Sequence, residues 1–258
     1  MMFGFGKTKR RPAVEAVEES SVGLVRENNE DHLLVDPSLF CYGVADGMGG
    51  GSDGEKASEI VCAEISMMMR LQPEDFSARM ESACNAVIAS NEAIFDYARE
   101  MHFEQMGTTL SMLLFDPLNS AQAVICHIGD SRIYRFRGGK VDRLTRDHSV
   151  GAELGRRYGC TEEFAARSNP LAHILTRAIG TGQTVCPEWK RVVVRPGDRY
   201  LLCTDGVHDV VSDERLGELM VNRPLAEAKE ALAKEVLDCG APDNFSFVVL
   251  DAEEGECC

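Results

Sequence analysis

The sequence has little positive charge and no long hydrophobic run. Lys and Arg number 27 against 42 Asp and Glu, so the formal net charge is −15. Such a surface is poorly suited to holding a phosphate backbone, which argues against nucleic acid as a partner. No apolar stretch has the length of a membrane span, and no apolar segment follows the basic residues of 1–12 as it would in a signal peptide. We therefore expect a cytoplasmic protein with no membrane association.

The ten cysteines include no C-x-x-C pair. This absence removes support for a zinc site or a thioredoxin-like redox site. Most of the cysteines lie inside apolar runs, as Cys126 and Cys203 do. We interpret them as reduced, small core residues.

What is present is an ordered succession of strand-like and helix-like segments. Residues 1–18 lack a periodic pattern and are predicted to be a disordered arm, and residues 252–258 are predicted to be an acidic tail. Helical spacing predicts helices at about 54–71, from after residue 73 to about 98, at 213–220 and at 225–239. Strands are predicted at 21–26, 32–35, 39–45, 108–115, 121–128, 132–137, 140–144, 191–194, 198–204 and 245–250.

The order of these segments indicates the fold class. Helices occur in pairs, and most strands are joined by short turns, including a hairpin turn at Gly138 and Gly139. This order favours an α+β fold of antiparallel sheets with helices outside over a parallel βαβ fold. Residues of about 148–190 contain no long element, and we predict a partly helical flap there.

Acidic residues recur at the ends of predicted strands. Asp46 stands directly before Gly47, and Asp205 stands before Gly206 in the same way. Three further acids are placed similarly, at Asp31, Asp130 and Asp243. Each one alone is most simply a turn or cap residue. If the strand ends converge, however, the carboxylates would repel one another unless cations lay between them.

The composition of this acidic set indicates which cation it would bind. Ligands that are all oxygen suit magnesium or manganese better than zinc or copper. Two such ions that lie about 3.5–4 Å from each other can act together in a displacement reaction at phosphorus. Arg26 could grip phosphate oxygens with two parallel hydrogen bonds.

The motifs around these acids resemble those of the metal-dependent serine/threonine protein phosphatases of type 2C, in their bacterial form. They occur in the order of that family and extend over residues of about 20–250. The matching segments are GLVR (23–26), NED (29–31), VADGMGG (44–50), GTT (107–109), HIGDSR (127–132), LTRDHS (144–149), LTRAIG (175–180), LCTDG (202–206) and DNFS (243–246).

The resemblance implies a fold, a set of ions and a role for each acid. The fold would be two packed antiparallel β-sheets, a β-sandwich, flanked by pairs of α-helices, within one catalytic domain at 19–251. Asp46 would bridge two Mn²⁺ or Mg²⁺ ions, the carbonyl of Gly47 would bind one, and Asp205 and Asp243 would bind the other. The remaining implied roles are a third metal at Asp130 together with Asp205, metal-bound waters at Glu30 and Asp31, and substrate phosphate at Arg26.

The implied reaction is hydrolysis of phosphoserine and phosphothreonine in proteins. A water bridging two metal ions would attack phosphorus directly, without a covalent phosphoenzyme. The resemblance also implies phosphoproteins as partners, among them a serine/threonine kinase or its substrates, and we expect a monomer.

One position departs from the pattern of some family members. They have a histidine directly after the Asp-Gly pair, which is proposed as the general acid, whereas this chain has Met48. A metal-bound water is the preferred donor of the missing proton. His148 is the alternative, although a structural role suits it better.

Two other functions remain open from the sequence. The first is a non-catalytic pseudophosphatase that acts as a binding module, whose mark would be the loss of metal carboxylates. The second is a metal phosphohydrolase of small phosphoesters.

Overall fold

A computed structural model describes residues 10–49, 52–71, 75–103, 105–159 and 171–257. The strands are β1 (Arg10–Ser21), β2 (Asp31–Asp36), β3 (Cys41–Met48), β4 (Gly107–Thr108), β5 (Leu110–Phe115), β6 (Gln122–Ile128), β7 (Arg132–Arg137), β8 (Lys140–Arg143), β9 (Glu188–Val193), β10 (Asp198–Cys203) and β11 (Phe245–Cys257). The helices are α1 (Ser52–Arg70), α2 (Phe76–Met101), α3 (Val150–Tyr158), α4 (Asp205–His208), α5 (Asp213–Met220) and α6 (Leu225–Asp238). Among the described residues, no helix has both the length and the apolar composition needed to cross a bilayer.

The strands form two antiparallel sheets that pack face to face. The first sheet has the order β1-β11-β10-β7-β8, and the second has the order β2-β3-β5-β6-β9, with β4 paired to β3. Side chains of both sheets fill the space between them, including Tyr42, Phe115, Tyr200 and Leu250. This arrangement confirms the α+β β-sandwich.

Each sheet is covered on its outer face by a pair of helices. The long helices α1 and α2 pack on the second sheet through a core that includes Ile65 and Ile94. The helices α5 and α6 pack on the first sheet through a core that includes Leu216 and Leu232. The amphipathic spacing of these helices therefore predicted correctly that each would lie on a sheet.

The prediction of a disordered arm is wrong for residues 10–18, and residues 1–9 lie outside the described part of the chain. Strand β1 pairs in antiparallel register with β11 at the edge of the first sheet. The side chains of Val14 and Ala16 pack toward the core between the sheets, whereas Glu15 and Glu18 are exposed. Charged residues are common on edge strands because they discourage pairing with other chains. These charged residues, without a periodic pattern, led to the prediction of a disordered arm.

The same pairing corrects two neighbouring predictions. Residues 252–257, predicted to be an acidic tail, continue β11, and Ala252 lies opposite Val14. Residues 22–26, predicted to be part of a strand, follow β1 as a turn and connecting loop. The first strand was predicted at 21–26, whereas it lies at Arg10–Ser21. The prediction followed Val22, Leu24 and Val25, which are residue types common in strands but are exposed here.

Two local predictions can be compared directly with the structure. Gly138 and Gly139 join β7 to β8 with φ angles of +56° and +76°, as a tight turn with two left-handed residues requires. The buried cysteines are Cys41, Cys62, Cys126 and Cys203, but Cys186 and Cys239 are exposed, so the expectation of core cysteines holds only for the first group.

The flap region begins with α3 and returns as an irregular segment at 171–187. Bridges between Ser149 and Leu175 and between Thr108 and Ile179 attach this segment to the rest of the protein. Residues 160–170 of the predicted flap lie outside the described part of the chain.

Candidate functional site

The fold gathers the predicted acids at one end of the sandwich. Asp31 begins β2 and lies directly opposite Asp46 on β3. Asp205 begins α4, which follows the central strand β10. Asp130 follows β6, and Asp243 precedes β11. Strands of both sheets thus contribute acids to one cluster.

Asp46 lies at the centre of this cluster. Burial raises the pKa of Asp46 well above its usual range, and the charges of Asp205, Asp31 and Asp130 raise it further. The side-chain interaction between Asp46 and Asp205 further raises the pKa of Asp46 and lowers that of Asp205. Burial also raises the pKa of Asp205 and of Asp130, and the negative charge of Asp209 raises both further. Carboxylates this close are stabilised by a shared proton or by a cation.

Asp31 is held rigidly at the base of the cluster. Its side chain is buried, and the Thr204 hydroxyl donates a hydrogen bond of 2.8 Å to Oδ2. The Thr204 oxygen in turn accepts from the Ser246 N–H at 3.0 Å. Burial raises the pKa of Asp31, the hydrogen bond from Thr204 opposes this shift, and the resulting pKa is about 7. Among the described atoms, Oδ1 of Asp31 is buried without a hydrogen-bond partner.

Arg26 and Glu30 occupy the periphery. Nη2 of Arg26 donates to Oδ2 of Asp243 at 2.7 Å, and the Arg26 side chain is 56% exposed. The guanidinium is therefore beside the cluster and accessible from solvent. The Glu30 carboxylate packs against the first turn of α1, because a Cβ at Gly54 would lie 2.2 Å from its Oε2.

Gly47 is required by close packing. A Cβ at Gly47 would lie 2.0 Å from the Gly54 carbonyl oxygen and 2.7 Å from that of Glu30. The Gly47 N–H donates to the Glu30 carbonyl at 3.1 Å. The glycine therefore lets α1 and the 22–30 loop approach β3 beside Asp46.

Several organising residues were missed by sequence reasoning. The Asn244 amide donates to the carbonyls of Val22 and Asn28, and its Oδ1 accepts from the Glu30 N–H at 2.9 Å. It thus ties the loop carrying Arg26 to the start of β11. Asn244 and Thr204 stand next to predicted acids in the matched segments, and that adjacency was the available signal.

A second residue that sequence reasoning missed is His208. Its side chain is 3% exposed, and Nε2 donates to the Asp130 carbonyl at 3.1 Å. The charge of His208 also lowers the pKa of Asp205. His208 therefore stabilises two of the clustered acids: it holds the backbone of Asp130 and favours the ionised form of Asp205.

Met48 and His148 occupy different environments. Met48 lines the cavity that contains Asp46, and its thioether carries no ionisable proton. Nδ1 of His148 accepts a hydrogen bond from the Gly129 N–H at 3.1 Å, and Nε2 lies 3.1 Å from a Glu188 carboxylate oxygen. Both nitrogens of His148 thus contribute to local structure.

The donor set fits a hard divalent cation. The clustered side chains offer oxygen alone, and Oδ1 of Asp31 is a buried oxygen that still lacks a partner. Within the described ranges, no three His, Cys, Asp or Glu side chains form a ready cage for a metal. A complete ligand set would therefore include backbone oxygen and water, as is usual for magnesium and related ions.

Comparisons with known proteins agree on one family. The family model described as "Protein phosphatase 2C" matches residues 26–239. The serine/threonine protein phosphatase PstP of Mycobacterium tuberculosis is 38% identical over 234 residues, which make up 90% of this chain and 44% of PstP. The chain therefore spans less than half the length of that relative. Protein phosphatase PhpP of Streptococcus pneumoniae is 30% identical over 240 residues, covering 91% of this chain and 96% of PhpP.

Solved structures agree with the sequence matches. A crystal structure of the PstP catalytic domain in complex with two manganese ions has a TM-score of 0.80 and 35% identity to this chain. That similarity covers 93% of this chain and 99% of the crystallised one. Because the family model spans most of its residues and PhpP is matched almost end to end, the chain belongs to the protein phosphatase 2C family.

Proposed function

We propose that this protein is a metal-dependent phosphatase that removes phosphate from serine and threonine residues of proteins. The observation that carries the proposal is the convergence of Asp46, Asp130 and Asp205 on one cavity, with Arg26 ion-paired to Asp243 beside them. The names of the relatives PstP and PhpP support the same reaction.

The proposed metal ligands are the clustered oxygens. Asp46 and the Gly47 carbonyl would hold one ion, and Asp46, Asp205 and Asp243 the other. Asp130 and Asp205 would bind a third, and Glu30 and Asp31 would contact metal-bound waters. Manganese or magnesium bound there supplies positive charge for the phosphate and acidifies water for attack on phosphorus and for protonation of the leaving group. The manganese complex of the PstP catalytic domain supports this choice of ion.

The protein's own groups position the substrate and the acids. The Arg26 guanidinium binds the phosphate oxygens, for which its planar donors are suited. Thr204 keeps Asp31 oriented through its 2.8 Å hydrogen bond. Met48 takes no part in proton transfer, and His148 remains engaged with Gly129 and Glu188.

A phosphate-release assay tests the proposal. Wild type and Asp205→Asn would be compared on a phosphothreonine peptide with manganese, with magnesium and with chelator. We expect metal-dependent release from the wild type and a loss of at least about 100-fold in the variant, since even supporting residues of metal sites contribute 10–100-fold. Folded protein without release under any condition would favour the pseudophosphatase. Full activity of Asp205→Asn would refute the metal assignment.

The same assay separates protein substrates from small ones. Faster release from the phosphopeptide than from free phosphothreonine would support a protein phosphatase. The reverse preference would favour the small-phosphoester hydrolase.

The wider setting is part of the proposal. We place the catalytic unit at about 10–257, from the start of β1 to the end of β11. It carries a flap at about 148–190, and we propose that the protein is a cytoplasmic monomer that acts in signal transduction. Its partners would be phosphoproteins, including a serine/threonine kinase or the substrates of that kinase.

A further inference from the structure

The cavity that contains the acids is much larger than a phosphate group requires. Its volume is about 700 Å³, within the range of sites that enclose an organic ligand of drug size. Asp46, Asp130 and Asp205 line one part of it. The rest of the lining combines polar side chains, including Arg99 and His173, with an apolar groove. The groove is formed by Phe95, Ala98, Phe103, Met106, Ile174 and Leu175.

The two walls of this apolar groove come from different elements. Phe95 and Ala98 belong to the C-terminal half of α2. Ile174 and Leu175 belong to the irregular segment 171–187 on the flap side. Ile174 is 52% exposed, so an apolar surface is left open to water beside the carboxylates. Burial of that surface by a ligand is favourable.

The groove is held open by contacts between its walls. Asn91 of α2 accepts a hydrogen bond from the Gly180 N–H at 2.8 Å and donates to the Gly182 carbonyl at 2.9 Å. The backbone of Ile174 is fixed as well, because its carbonyl accepts from the Val150 N–H at 2.9 Å. A preformed groove costs little ordering when a ligand binds.

We propose that this groove binds a large apolar side chain next to the phosphorylated residue of the substrate protein. The inference rests on the proposed phosphatase function, and it follows from continuity: the groove and the carboxylates share one cavity. A substrate whose phosphate lies at the acids therefore places its neighbouring residues in the apolar part. Leucine, isoleucine, methionine or phenylalanine matches the side chains that form the groove, because burial of apolar surface against them is favourable.

The test compares peptides that differ only beside the phosphate. Phosphothreonine peptides would carry one leucine at successive positions from three before to three after the phosphothreonine, in an otherwise alanine and serine background. The all-alanine and serine peptide is the reference. We expect one position at which leucine raises kcat/KM about tenfold, as burial of a large apolar side chain permits.

Variants assign the preference to the groove. In Ile174→Ser the ratio of kcat/KM between the leucine peptide and its reference should fall to near one, and in Phe95→Ala it should fall as well. The matched control is Ile88→Ser, because Ile88 is also exposed and lies on α2 away from the cavity lining. This control should keep the tenfold ratio. The ratio is unaffected by a general loss of activity or of folded protein.

The outcomes separate the inference from the function on which it rests. Equal release from all peptides by the wild type, or an unchanged ratio in both groove variants, would overturn the groove assignment while leaving the phosphatase function intact. Absence of release from every peptide with either metal would overturn both.

Discussion

Asp31 shows how much of this site depends on residues that do not face the substrate. Its buried carboxylate accepts a hydrogen bond from the Thr204 hydroxyl, and the negative charges of Asp205 and Asp243 raise its pKa. Asn244 and His208 have similar supporting roles for the 22–30 loop and for Asp130. Such supporting groups commonly account for 10–100-fold in metal affinity or activity.

Thr204→Val tests this support with little change in volume. The variant removes the donor to Asp31 and the acceptor of the Ser246 N–H. We expect the manganese concentration for half-maximal phosphate release to rise about 10–100-fold. The control is Thr145→Val, because the Thr145 hydroxyl also accepts from a backbone N–H, that of Ile133, but does not contact the acids. Equal metal requirements in the two variants would contradict the role given to Thr204.

His127 predicts a pH dependence of stability that involves no proposed ligand. Its ring is buried, Nε2 donates to the Arg146 carbonyl at 2.8 Å, and Nδ1 lies 2.9 Å from the Ser111 hydroxyl. Burial, together with the charge of the neighbouring His148, lowers the pKa of His127 to about 4. Between that pKa and the ordinary value of about 6.5, the unfolded chain binds the extra proton and the folded protein does not. The contribution of His127 to the free energy of unfolding is therefore fully present above about pH 6.5. It is lost as the pH falls from that value toward about 4.

Urea unfolding at pH 7 and pH 5 measures this effect. Lowering the pH should cost the wild type about 2 kcal/mol through this histidine. His127→Gln should lack that contribution, so its free energy of unfolding should depend less on pH by the same amount. Parallel pH profiles for the two proteins would show that His127 does not resist protonation in the fold.

The sequence was sufficient to predict the clustered acids but not the residues that hydrogen-bond to them. Asp46, Asp130 and Asp205 stand beside glycine or at strand ends, so a ligand hypothesis could be formed from local pattern alone. The hydrogen bond from Thr204 to Asp31 joins residues that are 173 positions apart in the sequence. A pattern of neighbouring residues cannot predict such a contact. The ion pair of Arg26 with Asp243 could not be foreseen either, since it depends on the turn after β1.

Among the elements, β1 is the one whose interpretation changes most. A disordered arm tolerates substitution anywhere, whereas an edge strand tolerates it on one face only. Val14 packs toward the core between the sheets, and the adjacent Glu15 is exposed. The two residues therefore form a matched pair for deciding between arm and strand.

We expect Val14→Ser to lower the free energy of unfolding by about 1 kcal/mol, because a half-buried valine contributes about half of its full burial energy. Glu15→Ser should change it by less than about 0.5 kcal/mol. Urea denaturation of the two variants beside the wild type checks the difference. If neither substitution had an effect, β1 would not be part of the folded structure in solution.

Element prediction succeeded where one face of an element is continuous and apolar. Helix α5 was predicted with its observed bounds, and α6 differs by one residue at its end. β7 was likewise predicted with its observed bounds. β1 and the end of β11 were missed because acidic residues without a regular period are typical of a disordered arm or tail. Only the pairing of the two segments with each other shows them to be strands.

For the whole molecule, the cluster of acids links stability to metal. Carboxylates that repel one another are a cost to the folded state, and a bound cation removes it. At about 100 times its dissociation constant, an ion that binds only the folded form adds about 2.7 kcal/mol. For a chain of this size that corresponds to a rise in Tm of roughly 5–10 °C.

Thermal unfolding with manganese and with chelator tests this linkage. The wild type should show the rise, and Asp205→Asn should start at a higher metal-free Tm and gain less from manganese. Asp96→Asn, an exposed acid on α2 far from the cluster in sequence, should behave as the wild type does. An equal manganese increment in all three proteins would place the stabilising ion elsewhere.

The pairing of β1 with β11 also determines how this protein can be attached to something else. Ser21 lies opposite Phe245 beside the loops that carry Arg26 and Asp243, and Arg10 lies opposite Cys257 at the other end of the same ladder. The 12 residues of β1 separate these ends by about 36 Å. A tether fused at residue 10 or at residue 257 would therefore anchor the molecule by the end remote from the acids. The cleft would then face away from the anchor and stay open to incoming proteins.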